Sequence, residues 1–198
     1  MNRLAELFAR VPRIWLFATA GLVQLAIIAL MVADRVRILR TGTEVMLQTA
    51  PVDPRDLLRG DYVILSYEIT SVQTGDLEGK PAPARDYFVY VKLAPGADGF
   101  HHAVSMHTGP VPVASGEVLI RGRIHRGQNC GNGNEFCQTM RLEYGLESFF
   151  VPQGEGRALE EARNERKLAV VAAVAPNGRA AIKRLMLDGK PVYDEPLF

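Results

Sequence analysis

The sequence predicts a mainly β protein in which an N-terminal transmembrane helix precedes a small β-barrel or sandwich-like domain with one short helix. Three features predict it: an uncharged run of twenty residues, Ile14 to Ala33; a series of short segments with period-two alternation; and Gly/Pro/Asn clusters between those segments. With the apolar run set aside, the 198-residue chain leaves one domain large enough to bury its own core.

The run IWLFATAGLVQLAIIALMVA has only Thr19 and Gln24 as polar residues. At about 1.5 Å per helical residue it matches a hydrocarbon core roughly 30 Å thick. A core helix of so small a domain carries one polar face, which this run lacks. The run is longer than the apolar region of a secretory signal, and Met31 and Ala33 make a poor small-x-small cleavage pair. An uncleaved anchor is therefore expected, with a cytoplasmic tail over 1–13, a transmembrane anchor over 14–33 and a β-rich soluble domain over 34–198. Flanking charge does not set its orientation, since Arg3, Arg10 and Arg13 precede the run and Arg35, Arg37 and Arg40 follow it.

Cysteine usage points to an orientation. Cys130 and Cys137 bracket six residues, of which two are Gly and two Asn, and a disulfide fits such a turn-rich loop. Metal ligation needs two further ligands at suitable spacing, and none lies nearby; two unpaired thiols are the other alternative. A bridge implies an oxidising compartment, so the expected location is the cytoplasmic (inner) membrane, single-pass, with the C-terminal domain in the periplasm or cell exterior. Twenty-three basic and 22 acidic residues give a net charge of +1 with no basic cluster, which argues against a nucleic-acid partner.

In the domain, Glu44–Thr49, Asp61–Thr70, Asp86–Ala94 and Gly116–Arg126 alternate as strands, with Val63, Leu65, Tyr67 and Ile69 on one face of the second. Ala158–Lys167 combines good helix formers with charges throughout and reads as a short, mostly solvated helix. LAVVAAVAP and RAAIKRLMLDGKPVY read as closing strands, with Asp188-Gly189 as a hairpin turn.

The densest stretch is PVDPRDLLRGDYVILSYEIT, Pro51 to Thr70. Pro54 fixes a turn, and Asp53, Asp56 and Asp61 are suited to capping backbone N–H groups, with Arg55 and Arg59 available to pair with them. The same five residues, with Tyr62 and Tyr67, are the first candidate binding set. Gly60-Asp61-Tyr62, then Leu65, then Tyr67 have the spacing that names the GDYXXLXY family of membrane-anchored bacterial proteins, which this chain resembles. YGLESFFVPQGEGRALE, Tyr144 to Glu160, resembles that family's second signature. The resemblance implies an anchored architecture and multi-span membrane proteins as neighbours, but no reaction.

Within the second signature, Tyr144, Phe149 and Phe150 are expected to fill the core. The turn at Gln153, Gly154 and Glu155 is the second candidate binding set, because loops carry function more often than cores do. DPRDLLRGDYV also has a fainter likeness to a segment of bacterial signal peptidases, but Pro51 and Val52 stand where those enzymes have their Ser-Met pair. His101 and His102 with His107 make a poor ligand set, since His102 and His107 have opposite parity on a strand, and His125 would need another strand alongside. No catalytic residue, metal site or cofactor is expected. The expected role is a membrane-anchored accessory or interaction domain partnering a polytopic membrane protein; the alternative is a hydrolase-like or ligand-binding enzyme using the Asp/Arg cluster at 53–61.

Overall fold

The computed structural model describes residues 12–52, 62–73, 88–124, 139–152 and 154–196. The chain divides into two units, Met1–Arg37 and Ile38–Phe198.

The first unit is built on helix α1 (Arg13–Thr41). Among the described residues it is the one helix long and apolar enough to cross a membrane. Ile14, Phe17, Leu22, Leu25 and Leu30 are all exposed along it, as suits a helix solvated by lipid. Thr19 donates its hydroxyl to the Trp15 carbonyl at 2.7 Å, so that polar group is satisfied within the helix. The helix continues eight residues past Ala33, and its last turn belongs to the second unit. There Ile38 and Leu39 are buried against Ala173 and Ala181.

The second unit is antiparallel throughout its sheets. Its strands are β1 (Thr43–Gln48), β2 (Tyr62–Ile64), β3 (Ser71–Gln73), β4 (Phe88–Pro95), β5 (His101–His107) and β6 (Val118–Ile124). After these come β7 (Thr139–Glu143), β8 (Ser148–Phe150), helix α2 (Gly156–Asn164), β9 (Leu168–Val174), β10 (Ala180–Leu187) and β11 (Lys190–Asp194). They form a four-stranded sheet, β1-β9-β10-β11, a five-stranded sheet, β3-β7-β6-β4-β5, and a two-stranded ribbon, β2-β8. The sheets are sandwich-like and do not close into a barrel. Between them lies one core that includes Val45, Leu47, Leu65, Val91, Leu93, Ile120, Leu142 and Leu185, each large aliphatic contributing roughly 1.5–3 kcal/mol by burial.

Local chemistry accounts for these elements. The fourth alternating segment and the closing strands form as expected, and Asp188 and Gly189 both take positive φ, the geometry of a two-residue hairpin turn. The expected strand over 61–70 is interrupted. After β2 only Tyr67 bridges Thr49, and Glu68–Thr70 is a 3-10 turn. Thr70 explains the break, because its hydroxyl accepts the Tyr67 N–H at 3.1 Å while its own N–H donates to the Tyr67 carbonyl at 2.9 Å. That local pairing competes with a ladder. Val63, Leu65, Tyr67 and Ile69 are nevertheless all buried, so the expected face survives the broken strand.

Helix and sheet meet at Gly42, whose N–H donates to the Ile38 carbonyl at 2.8 Å. A Cβ there would lie 2.6 Å from that oxygen and 3.0 Å from the Val174 nitrogen. Gly42→Ala is expected to destabilise the domain by about 1–3 kcal/mol, the usual cost of forcing a methyl into filled space. Urea unfolding of the full chain in detergent micelles measures it.

Candidate functional site

The two signature segments face each other. Tyr62 to Ile64 pair with Phe150 to Ser148 as the β2-β8 ribbon, and the Leu65 N–H donates to the Glu147 carbonyl at 2.8 Å. Beyond the ribbon, two tyrosines tie the segments reciprocally. Tyr67 donates its hydroxyl to the Leu146 carbonyl at 2.7 Å, and Tyr144 donates its own to the Ile69 carbonyl at 2.8 Å. The Tyr144 ring lies against Gly122 of β6, where an added Cβ would come within 2.9 Å of it. Glu147 closes the turn between β7 and β8, its carboxylate accepting the N–H groups of Tyr144 at 2.5 Å and Gly145 at 3.2 Å.

Helix α2 lies against the ribbon and contributes a group that the sequence reading missed. Arg163, expected on a mostly solvated helix, is 1% exposed. Its guanidinium donates to the carbonyls of Ile64 and, at 3.4 Å, Val52, and to Asn164 Oδ1 at 3.0 and 3.1 Å. Val52 and Ile64 stand on either side of residues 53–61, so one side chain holds both flanks of that segment. Burial lowers the guanidinium pKa, partly offset by Glu160. The signal was present in the sequence: Leu159, Ala162 and Arg163 share one helical face, and all three are buried.

The candidate binding residues divide as follows. Tyr67 is in the core, bonded to backbone, and offers nothing to solvent. Tyr62 is placed by the β2 ladder. Gly154, at φ 92°, and Glu155 form an exposed turn leading into α2. Phe149 is buried as expected and so is Tyr144, but Phe150 points outward and is 80% exposed. Asp53, Arg55, Asp56, Arg59, Asp61 and Gln153 lie outside the described residues, as do Cys130, Cys137 and His125.

The β5 histidines take separate partners. His101 Nδ1 accepts the Met46 N–H at 3.3 Å, His102 Nε2 meets Asp98 at 2.9 Å, and His107 Nε2 meets Ser105 Oγ at 2.9 Å. The His102 hydrogen bond, with the Phe100 N–H, holds the Asp98 carboxyl below its ordinary range. Among the described residues no three His, Cys, Asp or Glu side chains converge as a metal cluster. The geometry therefore positions backbone: hydroxyls and a guanidinium are committed to carbonyls, and together they fix the two signature segments.

A family model described as GDYXXLXY protein matches residues 24–185, most of the chain. The chain belongs to the GDYXXLXY family. No curated protein and no solved structure matches it. Of the residues that spell the GDYXXLXY motif, Leu65 and Tyr67 are buried core and Tyr62 is in β2, while Gly60 and Asp61 lie outside the described residues. The family match begins inside α1, at Gln24, so it includes the second half of the apolar run.

Burial first, and the Glu147 carboxylate second, raise the pKa of both Tyr67 and Tyr144 well above the ordinary tyrosine value. The unfolded chain releases these protons first as pH rises, so their contribution is complete below about pH 10 and declines above it. Tyr67→Phe or Tyr144→Phe is expected to cost about 1–3 kcal/mol at neutral pH by leaving a buried carbonyl without its donor. Each is also expected to flatten the alkaline loss of stability, as read from urea midpoints between pH 8 and 11.

Proposed function

We propose that the chain is a non-enzymatic accessory protein anchored once in the cytoplasmic membrane, with its β-sandwich in the periplasm or cell exterior, and that it partners a polytopic membrane protein. The observation that carries this reading is Gln24. It lies at the middle of the Ile14–Ala33 run, exposed on α1, and its side-chain amide makes no hydrogen bond among the described residues. An amide in hydrocarbon gains from a polar partner on a neighbouring helix. Gly21, one turn earlier on the same face, has nothing within 4 Å of a built Cβ, which leaves room for a close helix contact. Family membership supports the anchored architecture.

In mild detergent the full chain is expected to co-purify with a polytopic membrane protein, and combining Gly21→Leu with Gln24→Leu is expected to release it. Unchanged co-purification would remove the anchor from the interface. Topology has its own test, a membrane-impermeant maleimide applied to cells before and after reduction. Labelling of Cys130 and Cys137 only after reduction, with the cytoplasmic membrane intact, fits a bridged exported domain. Labelling that needs that membrane breached and no reductant would place the domain in the cytoplasm.

A further inference from the structure

The two larger sheets present neighbouring edges. β1 is the terminal strand of the four-stranded sheet and β5 that of the five-stranded sheet. Between them, the Met46 N–H of β1 donates to the Nδ1 of His101 on β5, at 3.3 Å. A side-chain nitrogen thus takes the place of a ladder carbonyl for an edge amide that β1 turns away from β9. An imidazole nitrogen accepts a hydrogen bond only while it carries no proton.

From this geometry we propose that His101 is a pH-sensitive latch between the two sheets, closed when the ring is neutral and opened by its protonation. The protonated ring would aim an N–H at the Met46 N–H, two donors facing each other with no acceptor. The surroundings favour the neutral ring. Partial burial lowers the His101 pKa, and neighbouring His102 adds to the lowering.

Charged groups on the adjoining elements are engaged elsewhere. Asp98 is held by His102 at 2.9 Å, and Lys92 of β4 pairs with Glu117 at 3.3 Å. Glu44 of β1 pairs with Lys183 at 2.7 Å, and Glu68 of the 3-10 turn with Arg166 at 3.7 Å. Among the described residues none of these carboxylates is hydrogen-bonded to His101, so none stabilises an imidazolium there. Because the folded-state pKa is depressed, the latch contributes fully above the unfolded histidine value, about 6.5, and is lost as pH falls through the folded value. Opening it would uncover the outer edge of β1, and uncovered edges are where other strands pair.

Hydrogen exchange of the full chain in detergent micelles tests the proposal. The Met46 amide is followed from pH 7.5 to 5.0, with each rate divided by the intrinsic rate at that pH. Protection is expected to fall about tenfold per pH unit once below the folded pKa, reversibly, while amides of β9 and β10 keep theirs. His101→Gln, whose amide oxygen accepts at every pH, is expected to abolish the dependence, and His102→Gln to retain it. A flat wild-type profile, or a drop that persists in His101→Gln, would overturn the latch. Should that variant fail to fold, ¹⁵N spectra of the wild-type rings decide: Nδ1 of His101 must be unprotonated at neutral pH, and a proton there overturns the assignment.

Discussion

Two phenol–carbonyl hydrogen bonds hold the domain's middle together. The β2-β8 ribbon has three residues on each side, and a two-stranded ribbon of that length has little stability by itself in water. What makes it part of the core is the exchange just past its end, where each segment sends a tyrosine hydroxyl into the other's backbone. The carbonyls of Leu146 and Ile69 lie where the ladders have stopped, so without those hydroxyls they would be buried polar groups lacking these partners. Burial of Leu65 and Phe149 and the seating of α2 all presuppose that the two segments are already in register.

Arg163 extends the same logic to a third element. A guanidinium taken out of water needs oxygen around it, and here the oxygens are the backbone carbonyls of Val52 and Ile64 and an amide oxygen of Asn164. Because the two carbonyls flank residues 53–61, helix α2, which begins within the second signature, ties Val52 to Ile64 across the first. Leu65 and Tyr67 of the motif are part of the buried core. Phe150 and the Gly154-Glu155 turn are the parts of the second signature that face outward.

The long apolar helix, the closing hairpin and the inward face of residues 63–69 were legible in the sequence because each depends on local pattern: unbroken apolarity, Asp-Gly at a two-residue turn, and alternation. The 3-10 interruption at Glu68–Thr70 was not, since a threonine hydroxyl bonding its own neighbourhood leaves the alternation intact while removing the ladder. Strands β7 and β8 are short and carry Arg141, Glu143 and an exposed Phe150, so their composition hides their pairing. Arg163 was read as solvated because arginine on a charged helix is solvated by default; only the position of Leu159 and Ala162 on the same face marks it as inward. The β5 histidines each take a separate partner. Their parity, however, says nothing of the strand that would lie beside His101.

The pairing of β1 has a consequence for biosynthesis. Thr43 lies opposite Val174 and Gln48 opposite Ala169, so the first strand made is matched only with one made almost last. A ribosome adding roughly 5–20 residues per second needs several seconds to supply the partner. During that interval a strand joined directly to a long apolar helix waits with its backbone unmatched and its apolar face uncovered. Closing so long a loop is entropically expensive and slow, which makes the nascent chain, more than the finished sandwich, the form in greatest need of protection from aggregation.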